Sequence, residues 1–191
     1  MRNRFILASA SPRRLQLLKQ IGISPDEVIA ANIDESVRKQ EIPEVYVLRM
    51  AMEKARAIVS DYPKSLVLAA DTIVVCGRRI LGKADDEKEA EKYLRLLSGC
   101  RHRVYSSVCI INNGKEHTVT VVSRVKMARL HDKDISAYIK TGNWQGKAGA
   151  YAIQEGAEEF ITWINGSYSN IVGLPLYETS RLLKRAQWSR A

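Results

Sequence analysis

The sequence is poor in the residues that build metal centres and disulfide scaffolds. Its three cysteines, Cys76, Cys100 and Cys109, show neither CxxC nor zinc-type spacing. An odd, scattered set fits reduced thiols in a cytosol. Three histidines are too few and too dispersed for a histidine metal centre. No apolar run reaches membrane-spanning length, and Ile6-Leu7-Ala8 is too short for a signal-peptide core before Ser-Pro-Arg-Arg interrupts it. A cytoplasmic location with no membrane partner is therefore expected. Internal repeats, low-complexity tracts and Gly/Ser linkers are absent, as is any polybasic run or basic–aromatic repeat. That last absence matters because the charge is lopsided, with 30 Lys and Arg against 21 Asp and Glu, a net charge of +9. The excess suits a small anionic ligand and argues against long nucleic acid as a partner.

What is present suffices for a packed core. The chain has 191 residues, 46% of them hydrophobic, which suits one domain of two lobes or two very small domains and excludes a disordered chain. Phe5-Ile6-Leu7-Ala8 reads as a strand. It runs through Ser9-Ala10-Ser11 into a helix with Ser11 as N-cap, Pro12 at the first helical position and Gly22 after its end. Val28–Asn32 is expected as a short strand, and Pro43 to about Ser60 as a helix with Val45, Leu48, Met52, Ala55 and Val59 on its apolar stripe. Leu66 to Val75 is almost continuously apolar, as in a strand buried on both faces. A turn at Gly77-Arg78-Arg79 leads into Ile80-Leu81, and Asp86 with Glu89 forms a capping box for a helix ending near Gly99. Val104–Ile111 and Thr118–Met127 are strands joined at Asn113-Gly114. Asp132 caps a short helix, and Gly146–Ala150 leads into a further strand. Phe160–Ile164 and Tyr168–Val172 form a second hairpin, and Pro175 opens a C-terminal helix. Alternating helices and strands, interrupted by hairpins, predict an α/β fold with a mixed sheet flanked by helices.

Several residues stand out against this background. Arg13 and Arg14 fall in the first turn of a helix, where the positive end of the dipole disfavours cations. An anion held by the free backbone N–H groups, both guanidinium forks and the hydroxyls of Ser9 and Ser11 removes that conflict. A solvated basic helix start is the plainer alternative. Asp71 interrupts the apolar run from Leu66 to Val75, and a carboxylate there needs partners or a task. Alternatively the strand ends at Ala70. Lys83 follows the next turn and Lys54 lies beside a helical apolar stripe; each alone reads as a solvated surface residue. Glu35 follows a strand, where it either joins Asp71 at a divalent cation or sits in an exposed loop. The small residues of Gly146–Ala150 let backbone approach a ligand, and the amide of Gln154 donates and accepts at once, which suits a nucleobase edge. A tight packing loop with a structural Gln is the other reading.

These segments together resemble the Maf-like family of nucleoside triphosphate pyrophosphatases, nearly end to end. The resemblance rests on Ser9-Ala10-Ser11-Pro12-Arg13-Arg14, Glu35, Lys54-Ala55, Ala70-Asp71-Thr72, Leu81-Gly82-Lys83 and Leu97-Ser98-Gly99 with His102. It continues through Lys147-Ala148-Gly149-Ala150-Tyr151, Ile153-Gln154, Asn165-Gly166-Ser167-Tyr168 and Val172-Gly173-Leu174-Pro175-Leu176. It implies a single domain over residues 1–191, an elongated two-lobed fold with a central cleft of the inosine-triphosphate-pyrophosphatase type, and often a homodimer. The implied reaction splits a nucleoside triphosphate between its α- and β-phosphates, with Mg2+ or Mn2+ as cofactor. Asp71 matches the general base; Ser9, Arg13, Arg14, Lys54 and Lys83 match the phosphate-handling and catalytic polar set. Glu35 matches an acidic member of the same site, at a metal with Asp71. The doublet Arg13-Arg14, Thr72 and Gln154 resemble the branch acting on dTTP and UTP, in which Arg13, Thr72 and Gln154 select the substrate. A branch acting on 7-methyl-GTP, and a nucleotide- or DNA-binding regulator of septum formation and cell division, are the alternatives. Ala84 and Glu155 depart from the family pattern, which usually has Pro and Gly there; Glu158-Glu159 makes its stretch more acidic than usual.

Overall fold

Phe5, Ile6, Leu7 and Ala8 carry no polar alternation, and all four are fully buried, as befits a strand inside a sheet covered on both faces. In the computed structural model, which describes residues 3–188, this strand is β1 (Phe5–Ala8). It is followed by α1 (Pro12–Gln20), β2 (Glu27–Ile29), α2 (Pro43–Asp61), β3 (Leu66–Cys76), β4 (Arg79–Leu81), α3 (Glu87–Leu97), β5 (Arg101–Asn112) and β6 (Lys115–Met127). Then come α4 (Asp132–Lys140), a 3-10 turn at Ala157–Phe160, β7 (Ile161–Asn165), α5 (Tyr168–Val172) and α6 (Leu176–Arg185). The sheet runs β2-β1-β3-β5-β6-β7, with β4 paired to β3. β1 is parallel to both β2 and β3, which α1 and α2 make feasible as crossovers. β4 pairs antiparallel with β3, and β7 antiparallel with β6, so the sheet is mixed, as the alternation of elements predicts. Asn113 and Gly114, with φ of 49° and 74°, supply the two left-handed residues that a tight hairpin between β5 and β6 demands.

The residues group into two compact units. The first comprises the chain through Asp71, Ser106–Val121 and the chain from Gly173; the second comprises Thr72–Tyr105 and Val122–Val172. In the first unit, α2 packs Ala51, Ala55 and Ile58 against Ile6 and Ala8 of β1, Val67 and Ala69 of β3, and Cys109 and Ile111 of β5. Small alanines on helix and strands bring α2 close to the sheet. Burial also pushes the Cys109 thiol up to about 12, which makes it an inert core residue. In the second unit, His102 and Tyr151 meet edge to face with Nε2 and the phenol oxygen 2.8 Å apart. Burial lowers the His102 pKa to about 4, so the ring is neutral at pH 7.

Four local expectations are corrected. The buried stripe of α2 is Tyr46, Val47, Met50, Ala51, Lys54, Ala55 and Ile58; Val45 is exposed, and Leu48, Met52 and Val59 are half-buried. The inward face is apolar apart from Lys54, which it delivers to Asp71. The expected strand Val28–Asn32 shrinks to Glu27–Ile29, and residues 30–42 are irregular. The segment directly after Ala150 is not a strand; Ala148 makes only an isolated antiparallel bridge with Lys83, and the chain turns through 153–156. Tyr168–Val172 is a short helix, not the partner strand of a hairpin, and β7 pairs with β6 instead. Its polar side chains are consumed in capping: the Asn170 N–H donates to Ser167 Oγ (3.2 Å), and Asn170 Nδ2 donates to Ser123 Oγ (2.9 Å) and the Val104 carbonyl (3.1 Å).

Two helix starts also differ in detail. Ser11 occupies the N-cap of α1 without using its hydroxyl; its N–H donates instead to Ser9 Oγ (3.1 Å). His131, not Asp132, precedes α4, with its N–H donating to Asp134 Oδ2 (3.0 Å).

Gly149 is the tightest point of the second unit. Its φ is +69°, and a Cβ there would lie 2.9 Å from Val74 Cβ in β3. Its N–H donates to the carbonyls of Leu81 (3.2 Å) and Gly82 (2.9 Å), so it has no room to retreat. G149A is expected to cost about 2–3 kcal/mol, read as a fall of roughly 6–10 °C in the thermal midpoint.

Candidate active site

In the first unit, three elements converge on one ammonium group. Lys54 sits on the inner face of α2, two turns after Tyr46; Asp71 lies near the middle of β3; Glu35 belongs to the irregular segment 30–42. Lys54 Nζ lies 2.7 Å from Asp71 Oδ1 and 2.8 Å from Glu35 Oε1. Lys54 and Asp71 are buried, at 7% and 8% exposure, which rules out the reading of Lys54 as a solvated surface residue. It also answers the question of where the strand ends: β3 runs through Asp71 to Cys76. A buried charge needs a partner, and here each carboxylate finds the same cation.

The anion-binding expectation around α1 meets the same constellation. Ser9 is buried at the end of β1, and its Oγ accepts from Arg14 Nη1 (3.1 Å). Arg14 Nε donates to the Gly173 carbonyl (2.9 Å). Burial lowers the Arg14 pKa; Asp71 and Glu35 act against that, while the neighbouring Arg13 adds to it. Arg13, Arg14, Glu35 and Asp71 thus share one electrostatic neighbourhood, with Lys54 bridging the two carboxylates.

The segment that carries Glu35 is pinned. The Tyr46 hydroxyl donates to the Glu35 carbonyl (2.7 Å), and Arg49 Nη2 donates to the Ser36 carbonyl (2.9 Å). Arg49 also grips Glu41 through Nε (2.6 Å) and Nη2 (2.7 Å). Burial, followed by the Asp71 and Glu35 carboxylates, pushes the Tyr46 phenol up to about 12. Tyr46 and Arg49 were not singled out from the sequence. Their signal was there: Tyr46, Met50 and Lys54 recur every four residues on one helical face.

The second unit holds the remaining candidates. Thr72 is half-buried on β3. The β3–β4 register, with Val74 opposite Leu81, returns the chain towards the Thr72 end of β3, and exposed Lys83 follows there, bridged to Ala148. Gln154 lies in the loop after Tyr151. The Ala152 N–H donates to the Tyr138 hydroxyl (2.9 Å), Asn143 Nδ2 donates to the Glu155 carbonyl (2.7 Å), and Gln154 Nε2 donates to Glu155 Oε1 (3.0 Å). Lys147 Nζ lies 3.1 Å from Glu155 Oε2.

Residues 4–186 match the family model described as Maf-like protein. The chain belongs to the Maf-like family. A dTTP/UTP pyrophosphatase of Zymomonas mobilis is 52% identical over 189 residues, covering 98% of this chain and 94% of that protein. A dTTP/UTP pyrophosphatase of a Ruegeria species is 52% identical over 182 residues, covering 95% of this chain and 94% of the relative. A protein named nucleoside triphosphate pyrophosphatase from Ehrlichia chaffeensis is 48% identical over 181 residues, with 94% of each chain covered. This Maf-like chain keeps Ser9, Arg14, Glu35, Lys54 and Asp71 within its first unit, and Thr72, Lys83 and Gln154 within its second.

Among the described residues no group of three or more His, Cys, Asp or Glu side chains forms a ready cation cage. Two hard carboxylate oxygens nevertheless converge on one ammonium-sized charge at Lys54. Carboxylate oxygens are ligands that Mg2+ and Mn2+ accept; here Glu35 Oε1 and Asp71 Oδ1 are both engaged by Lys54. No helix among the described residues is long and apolar enough to cross a membrane.

K54M leaves buried Asp71 without its cation and is expected to destabilise the fold by about 3 kcal/mol, read by urea unfolding. The Arg49 guanidinium holds the Glu41 carboxyl down to about 2, from an ordinary 4.5. The folded-state pKa is depressed, so the clamp is fully present above about 4.5 and is lost as pH falls through about 2. Amide-exchange protection over residues 34–41 is expected to drop across that window, and E41Q to show the reduced protection already at pH 7.

Proposed function

We propose that this protein hydrolyses dTTP and UTP, and modified pyrimidine triphosphates of the same shape, to the nucleoside monophosphate and pyrophosphate. The observation that carries the reading is the buried Lys54 ammonium shared by Glu35 and Asp71, with Arg14 held by Ser9 in the same electrostatic neighbourhood. The names of the relatives that cover almost the whole chain support the same substrate class.

In this reading Asp71, oriented through Oδ1 by Lys54, uses its second oxygen to take a proton from a water. The water oxygen bonds to the α-phosphorus, the bond from that phosphorus to the α–β bridging oxygen breaks, and pyrophosphate leaves with the electron pair. Arg13, Arg14, Ser9 and Lys83 bind the phosphates and offset the charge that repels the nucleophile and builds on the leaving group. Glu35 and Asp71 would hold a divalent cation, Mg2+ or Mn2+, which would supply further charge neutralisation. Arg13, Thr72 and Gln154 select the substrate, Gln154 by reading the edge of the base. Positioning and charge are most of what such chemistry requires.

The same proposal takes residues 1–191 as one functional domain, two-lobed with a central cleft in the inosine-triphosphate-pyrophosphatase manner, cytoplasmic and homodimeric, with no nucleic-acid or membrane partner. The test is pyrophosphate release from dTTP, UTP, CTP, ATP, GTP and 7-methyl-GTP. Selective release from dTTP and UTP is expected, with D71N lowering kcat at least about 100-fold while the protein stays folded. Near-normal turnover by D71N removes Asp71 as the base, and release from 7-methyl-GTP alone overturns the substrate assignment.

A further inference from the structure

We propose that Glu155 is a specificity-determining positioning residue: its carboxylate locks the Gln154 amide in one of its two orientations, so the site takes bases with a ring N–H beside a carbonyl. This rests on the reading of Gln154 as the base-contacting residue. The ambiguity it addresses is chemical. A glutamine amide has an oxygen that only accepts and a nitrogen that only donates, and a half-turn of the terminal group exchanges them. An unrestrained Gln154 therefore pairs equally well with thymine or uracil, which show N3–H beside O4, and with cytosine, which shows an N3 acceptor beside an amino group.

Glu155 removes that symmetry. Its Oε1 lies 3.0 Å from Gln154 Nε2, and an ionised carboxylate only accepts, so the nitrogen must face it. The flipped amide would set Gln154 Oε1 against the carboxylate, acceptor against acceptor. In the locked orientation Oε1 accepts from N3–H, and the second hydrogen of Nε2 remains to donate to O4. Cytosine then meets acceptor with acceptor and donor with donor, and a site built for one pattern rejects the other strongly.

The lock is itself held in place. Lys147 Nζ, 3.1 Å from Glu155 Oε2, offsets the carboxylate's charge, and Asn143 fixes the Glu155 backbone through its carbonyl at 2.7 Å. The loop is anchored on either side by Gly149 against β4 and by Ala152 on Tyr138. Gln154 is half-buried.

The experiment compares kcat/KM for dTTP, UTP and CTP in the wild type, E155A, E155Q and Q154A. The dTTP-to-CTP ratio is expected to fall about tenfold in E155A and E155Q, through a gain on CTP as well as a loss on dTTP. E155Q keeps the side-chain volume and still bonds Gln154, but tolerates both orientations, so it separates the lock from simple packing. A purely structural Glu155 scales all three substrates together and leaves the ratio unmoved, which overturns the proposal. A wild-type preference that Q154A does not alter shows that Gln154 does not read the base, and the proposal falls with that reading. A wild type that cleaves no pyrimidine triphosphate defeats the proposed function itself, and the role of Glu155 with it.

Discussion

A lysine ammonium buried between two carboxylates is the constraint around which the first unit is arranged. Lys54 is only 7% exposed, and a cation so placed is tolerable only with its partners at hand. Asp71 and Glu35 supply them at 2.7 and 2.8 Å. Meeting that requirement adds a polar tie between a helix and a strand that already share a hydrophobic core, and draws an irregular segment to them. α2 is turned so that Lys54 joins Ala51, Ala55 and Ile58 on the inner face, and β3 carries a carboxylate through an otherwise apolar run. The segment 30–42, which lacks regular structure to stiffen it, is stitched to α2 by Tyr46 and Arg49. The same helix thus supplies the cation and the two side chains that hold its exposed partner in position.

The second unit solves a different problem by close approach. Gly149 lies against Val74 where no side chain fits, and its N–H is shared between the carbonyls of Leu81 and Gly82. From that anchor the loop runs past Tyr151, whose phenol meets His102, to the Gln154–Glu155 pair. The histidine is neutral and buried, so it serves as a polar peg rather than a charge. A loop of turns held at this many points fixes the backbone on both sides of the Gln154–Glu155 pair.

Much of the candidate site was legible because its residues break local rules. Arginines stand at the start of a helix, a carboxylate interrupts an apolar strand, and small residues crowd one loop. Each is a place where the local preference of the chain is overridden by a need elsewhere. Lys54 gave no such sign; a lysine beside an apolar stripe looks like any surface lysine, and its burial follows from Asp71, seventeen positions away. Tyr46 and Arg49 were silent for the same reason, since an aromatic or a cation on an amphipathic helix is ordinary until its partner is known. The misplaced hairpin at Tyr168–Val172 shows the converse. Its apolar pattern suited a strand, but Ser123, Ser167 and Asn170 bond one another and turn it into a short helix.

The α/β class, the tight hairpin at Asn113-Gly114, the order of the main elements and the family are all written along the chain. These depend on hydrophobic period, turn chemistry and runs of motif, all of which are local along the chain. Tertiary structure alone decided which face of α2 is buried, which residues lie against Asp71, and how Glu155 bears on Gln154. Those outcomes depend on charge pairs and hydrogen bonds whose distances are set only when separate elements pack. A buried cation takes its position from its partners, and no residue's neighbours in sequence disclose who they are.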